Sequence, residues 1–167
     1  MRKFVTGWIT GFALMAWAQG AESDGPSLKL NMMMTPGGAF EATSSEIKGT
    51  ATVTKTGVTA KSIVLDLKTL DAGMSLRTKH MKDNYLEVAK FPTAEVIDVS
   101  GKDGKFEGKL KIRDKTVPIK GTYEVKGKVL IAKFPTTFKD CGIKSAKYKS
   151  VGVDDEVEIE AKVAVAP

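Results

Sequence analysis

An all-β domain, in which an antiparallel sheet rolls into a barrel or folds into a sandwich, is the architecture this sequence predicts. Three observations predict it. Apolar and polar residues alternate with period two along most of the chain after Ser27, as half-buried strands require. Gly and Asp-Gly breaks separate the alternating segments at short intervals. Only one stretch, from Met74 to Lys90, departs to helical spacing.

The first alternating segment is Leu28-Lys29-Leu30-Asn31-Met32, broken at Thr35-Pro36-Gly37-Gly38. Ile47 to Lys55 alternates through Gly49, Ala51 and Val53, and Thr56-Gly57 turns the chain. Ile63, Leu65 and Leu67 then share one face, with Val64, Asp66 and Lys68 on the other. Between Met74 and Lys90, the residues Met74, Met81, Tyr85 and Val88 fall at helical spacing. Ser75 is placed to cap that helix, and Phe91-Pro92 ends it, because proline pushes its predecessor out of the α region. A break at Asp83-Asn84 is the alternative to one continuous helix. The second half alternates more regularly. Phe106, Gly108, Leu110 and Ile112 form one face, and Val117, Ile119, Gly121, Tyr123 and Val125 the next. Lys126-Gly127-Lys128 makes a hairpin turn, followed by Leu130, Ala132, Phe134, Thr136 and Phe138. Val157, Ile159, Ala161, Val163 and Val165 close the chain. Short strands joined by tight turns must close or fold over to bury their apolar faces.

Before the strands, Arg2 and Lys3 precede an apolar run from Phe4 to Ala18 that ends in Ala16-Trp17-Ala18. A basic start, an apolar stretch and a small-x-small end are the marks of an export signal. Residues 1–18 are therefore expected to be a signal peptide, and 19–167 a single domain found in the periplasm or secreted. The run is too short and too polar to span a bilayer. It has no Cys near the cut for lipid attachment, so no membrane anchor is expected. Removing the leader takes Lys+Arg from 26 to 24 against 20 Asp+Glu, and removes both tryptophans. That mild, dispersed positive balance argues against a nucleic-acid partner.

No catalytic constellation is legible. His80 is the single histidine and Cys141 the single cysteine. Asp83 and Glu87 lie near His80, but no Ser or Cys nucleophile motif accompanies them. An ordinary zinc site cannot be built from one His and one distant Cys, and a copper site at Met32-Met33-Met34 lacks a nearby His or Cys. No cofactor is expected, and Cys141 reads as a small buried hydrophobe. The inward positions Gly49, Ala51, Gly108, Gly121, Ala132 and Ala161 are small. They either leave a dry space for an apolar guest or admit neighbouring side chains, and periodicity does not choose between the two.

Several motifs carry a family resemblance: Leu70-Asp71-Ala72-Gly73-Met74, Leu76-Arg77, His80-Met81, Tyr85-Leu86 and Phe91-Pro92-Thr93-Ala94. Downstream come Gly108-Lys109-Leu110-Lys111-Ile112, Val117-Pro118-Ile119, Asp140-Cys141-Gly142-Ile143 and Val151-Gly152-Val153-Asp154-Asp155-Glu156-Val157. Their order and spacing, from about Ile47 to Val163, resemble the YceI-like family. Thr78 stands where that family commonly has Asp, and the region Met32–Glu46 is short where it usually has a longer, aromatic strand. The resemblance implies a lipocalin-like antiparallel eight-stranded β-barrel with one short helix across an end. It also implies a polyisoprenoid or other long-chain amphiphile as ligand, bound without catalysis. The expected wall is Met32, Met34, Leu76, Met81, Leu86, Phe134 and Phe138, with Arg77, His80 or Tyr85 meeting the polar end. A structural or stress-response protein with a self-filled barrel is the alternative, and an exposed strand edge could pair two copies into a homodimer.

Overall fold

The computed structural model describes residues 25–144, 147–148 and 151–167, side chains excepted at 147–148; the expected signal peptide lies outside them. The alternating segments become twelve strands in one sheet among the described residues. Strands β1 (Ser27–Thr35) and β2 (Gly38–Ser44) form a hairpin around Pro36-Gly37, so the short Met32–Glu46 region is built almost wholly of strand. Next come β3 (Ile47–Lys48), β4 (Thr50–Thr54) and β5 (Gly57–Asp66). After the helical segment, β6 (Thr93–Lys102), β7 (Lys105–Ile112), β8 (Lys115–Lys126) and β9 (Val129–Thr137) form an antiparallel meander. The short β10 (Lys147–Tyr148) and β11 (Val151–Val153) lead into β12 (Glu156–Val165).

Strand β12 closes the barrel. One of its edges pairs along β9, from Glu156↔Thr137 to Ala164↔Val129. Its other edge is shared by β1, from Ser27↔Lys162 to Asn31↔Glu158, and by β4 at Ala164↔Thr50 and Val165↔Ala51. The closed ring is thus β12-β4-β5-β6-β7-β8-β9. It has seven strands rather than the expected eight, with the β1–β2 hairpin extending the wall at one end. One pairing, β12 with β4, is parallel. The reason is directional: β2, β3 and β4 run on in one sense, because Ser45-Glu46 and Gly49 bend the chain without reversing it.

The β4–β5, β6–β7 and β8–β9 turns gather at one end of the barrel, its base, and the β1–β2 and β7–β8 turns lie at the other. Asp103-Gly104 and Gly127 take the positive φ that tight hairpins need, as their sequence signals predict. In β6 the bulge residue Asp98 (φ +53) shifts the register against β7. Inward residues accordingly change parity, from Ala94 and Val96 to Val99 and Gly101.

The small inward residues divide into two groups. Ala51, Ala132 and Ala161 line a residual space of about 50 Å³ near the base. The glycines leave no room. Gly101 and Gly121 flank Phe106 from its two neighbouring strands; the Phe106 ring fills the space at Gly121, and Val58 and the Tyr123 ring fill it at Gly101. Phe106 then meets Phe134 edge-on at 5.9 Å, an arrangement favoured by the ring quadrupoles. Gly108 sits against Val99, and Gly49 is an exposed interruption between β3 and β4 rather than an inward position. The base is plugged by the protein's own aromatic rings.

The helix is shorter than its spacing suggests. Helix α1 (Ser75–His80) widens into a π-turn over Met81–Tyr85, with the Leu86 amide donating to the Met81 carbonyl at 2.9 Å. It does not break at Asp83-Asn84, nor run to Phe91-Pro92. Glu87 enters the left-handed region (φ +50) and the Val88 amide closes back on the Lys82 carbonyl at 2.9 Å. Ser75 does not cap the start, since the capping position is Met74, which makes no side-chain hydrogen bond.

Candidate functional site

Opposite the plugged base, α1 and the π-turn lie over an open mouth. A groove of about 430 Å³ runs beneath them. Its floor comes from the inward face of β1, where Leu30, Met32 and Met34 alternate with the outward Met33. Its helical side is Met74, Leu76, Arg77, His80, Met81, Tyr85 and Leu86, and Phe138, Ile143 and Val153 complete the far wall. The structure therefore gathers Met32, Met34, Leu76, Arg77, His80, Met81, Tyr85, Leu86 and Phe138 around one space, although they come from three distant parts of the sequence. Phe134 is not among them. It lies deeper, in the wall shared by an inner cavity of about 110 Å³ and the 50 Å³ space at the base.

The mouth and the inner cavity share Leu30, Leu86, Phe138, Ile143 and Val157 as walls, which makes the apolar lining continuous. An apolar cavity of about 150 Å³ holds benzene, so the inner space fits no more than a small terminal group. The groove itself falls in the range of ordinary small-molecule sites. Charge is confined to its rim: Arg77 and Lys144 line it beside the His80 imidazole, and no carboxylate does. Arg77 lies 4.5 Å over the Phe40 ring and donates to the Ala72 carbonyl at 3.3 Å. Phe40, on β2, supplies an aromatic face to this corner.

Two supports of the mouth were not legible in the sequence. The first is Asp71, whose carboxylate accepts from the Gly73 amide and the Thr78 hydroxyl, both at 2.9 Å. Thr78 in turn accepts from the Ala72 amide at 2.9 Å, so the residue that departs from the family pattern ties down the entry to α1. The Gly73 amide, then the Thr78 hydroxyl and the charge of Lys82, hold the Asp71 carboxyl below its ordinary range. A depressed carboxyl stabilises the fold above its unfolded pKa and loses that contribution as pH falls through the folded value. Thr78→Val is expected to move the Asp71 titration upward, read by NMR of the side-chain carboxyl. An unmoved titration would reject the contact.

The second support is Arg113, in the β7–β8 turn. Its guanidinium pairs with Glu87 and donates to the carbonyls of Gly142 (2.8 Å) and Tyr85 (3.4 Å). It also lies 5.4 Å over the Phe91 ring. One side chain thus clasps the end of the π-turn, a barrel hairpin and the loop after β9. Arg113→Ala strands two carbonyls and a carboxylate, at a cost of about 2 kcal/mol. A thermal melt should fall by about 4–8 °C, and Arg113→Lys should recover only part of that, because an ammonium cannot reproduce the planar fork.

Cys141 is buried in the wall of the inner cavity, its sulfur 3.4 Å from the Thr136 hydroxyl. Burial pushes its thiol up, which disfavours the nucleophilic thiolate. Among the described residues, no group of three or more His, Cys, Asp or Glu is placed to hold a metal, and no helix is long and apolar enough to cross a membrane.

The family model for the YceI-like domain matches residues 23–165. No curated protein matches by sequence. Among solved structures, the fold is similar to BcnA of Burkholderia cenocepacia, with 17% identity and a TM-score of 0.68 over 84% of this chain and 96% of that one. A polyisoprenoid binding domain from Saccharophagus degradans, implicated in plant cell wall breakdown, has 12% identity and a TM-score of 0.62 over 85% and 94%. The YceI protein of Campylobacter jejuni has 10% identity and a TM-score of 0.54 over 73% and 81%. At these identities the likeness is one of fold.

Proposed function

The chain belongs to the YceI-like family, and from that premise we propose that it binds a polyisoprenoid or other long-chain amphiphile, without catalysis, for transport or storage in the periplasm or outside the cell. The observation that carries this reading is the groove of about 430 Å³ under α1, lined almost wholly by apolar side chains and continuous with the barrel interior. A structural neighbour described as a polyisoprenoid binding domain supports the ligand class. The expected site is Met32, Met34, Leu76, Met81, Leu86 and Phe138 around the tail, with Arg77, His80 or Tyr85 at the polar end. The plugged base sets the path of the tail. The tail lies along the mouth and sends only its end inward toward Phe134, instead of threading the barrel.

Flexible methionines suit such a wall, since an unbranched thioether adapts to a chain whose shape varies. Export follows from the leader at residues 1–18, and a second copy added to the edge of β2 ahead of its Thr43–Asp71 bridge belongs to the same reading. The test is organic extraction of protein purified from its own host, followed by mass spectrometry. A stoichiometric long-chain lipid is expected. Repeatedly empty extracts would favour the self-filled barrel, the second reading, which the small inner volumes of about 110 and 50 Å³ make worth testing.

A further inference from the structure

Large apolar side chains are exposed at the mouth as well as buried in it. Met74 is 57% exposed and Leu76 62%, both at the start of α1, and Val151 is 37% exposed. All three border the groove, so the apolar lining spills over its lip onto the outer surface. The charged residues that line the groove are cations, Arg77 and Lys144, with His80 beside them and no carboxylate in the lining. Of the nearby carboxylates, Asp83 is paired with Lys79 at 2.7 Å and Glu87 with Arg113. Asp71, Asp154 and Asp155 accept from neutral donors, and with the exposed Asp140 and Glu156 they stand outside the groove lining.

We propose that this lip docks on an anionic lipid bilayer, with Met74 and Leu76 entering the boundary between headgroups and acyl chains and Arg77 and Lys144 facing lipid phosphates. Interfacial binding of this kind draws on buried apolar area together with attraction of basic residues to anionic lipid. The inference rests on the amphiphile-binding reading for its purpose. A tail leaving the groove at this lip would pass into the bilayer without crossing water, which matters because every exposed methylene is unfavourable in water. A surface for an acidic protein would need the cations but not two exposed side chains beside an apolar groove.

Flotation with vesicles tests it, using phosphatidylcholine alone and phosphatidylcholine mixed with phosphatidylglycerol. The purified protein is expected to float with the mixed vesicles at low salt, to bind the neutral ones much less, and to be released as salt screens the attraction. Met74→Ser with Leu76→Ser should weaken binding at least about tenfold. Met74→Asp with Leu76→Asp should abolish it, with thermal melts confirming that each pair folds. Val125→Asp, at the opposite end of the barrel, exchanges another exposed apolar residue and should bind like the parent. Failure of the parent to float with mixed vesicles, equal binding to neutral vesicles, or full binding by the serine pair would each overturn the docking. Extraction of the same preparations separates the two ideas. An empty extract with vesicle binding intact supports docking and rejects the ligand, whereas a lipid-loaded protein that ignores vesicles rejects docking alone.

Discussion

Phe134→Ala is expected to destabilise the fold by about 3–5 kcal/mol, the usual cost of deleting a fully buried aromatic ring. Phe134 is 4% exposed, packs edge-on against Phe106 and stands in the wall between the two inner spaces. Its removal should merge those spaces and open the interior toward the base. Denaturant unfolding would show the loss as a lowered midpoint with an unchanged slope. Phe134→Leu retains most of the volume and should cost only about 1 kcal/mol. The functional consequence runs the other way. If the ring limits how far a tail reaches inward, the alanine variant should extract with longer chains than the parent. An unaltered chain-length distribution would mean the tail never approaches Phe134.

Gly121→Ala should be comparably damaging, although it adds one carbon where Phe134→Ala removes six. A methyl at Gly121 would stand 2.1 Å from the Lys133 carbonyl oxygen, and 2.8 Å from both the Phe106 ring and the Phe134 Cβ. Side-chain rotation relieves none of the first clash, because the obstacle is backbone in the neighbouring strand. Overpacking of this kind commonly costs 1–3 kcal/mol, and a backbone obstacle places it at about 3 kcal/mol or more. Gly127→Ala makes the comparison. Its left-handed φ of +60 carries a conformational cost, but no atom lies within 4 Å of the added carbon. That variant should lose about 1 kcal/mol. Equal losses at the two glycines would show that crowding at Gly121 is relaxed by strand movement.

The candidate site was legible to an unusual depth for its apolar part. Met32 and Met34 could be assigned to one face and Met33 to the other, because side chains on a strand alternate whatever surrounds them. Met81 and Tyr85 could be set on one helical face for the same kind of local reason. Arg113 was invisible as more than a turn residue. Its partners Tyr85, Glu87 and Gly142 lie 26 to 29 positions away, and nothing in local spacing marks them. The helix end was misplaced for a related reason: Glu87 adopts a conformation that favours glycine, in a site where its carboxylate is held by Arg113.

By itself the sequence determined the strands, their turns and the inward or outward sense of most side chains, since these depend on residues within a few positions of each other. The tertiary structure alone decided how much space those inward residues leave. Gly121 looked like a gap until Phe106 was seen beside it on the adjacent strand. The parallel contact of β12 with β4 and the open mouth opposite a plugged base belong with it. Volume belongs to neighbours brought together across the sheet, and no period along a single strand records who those neighbours are.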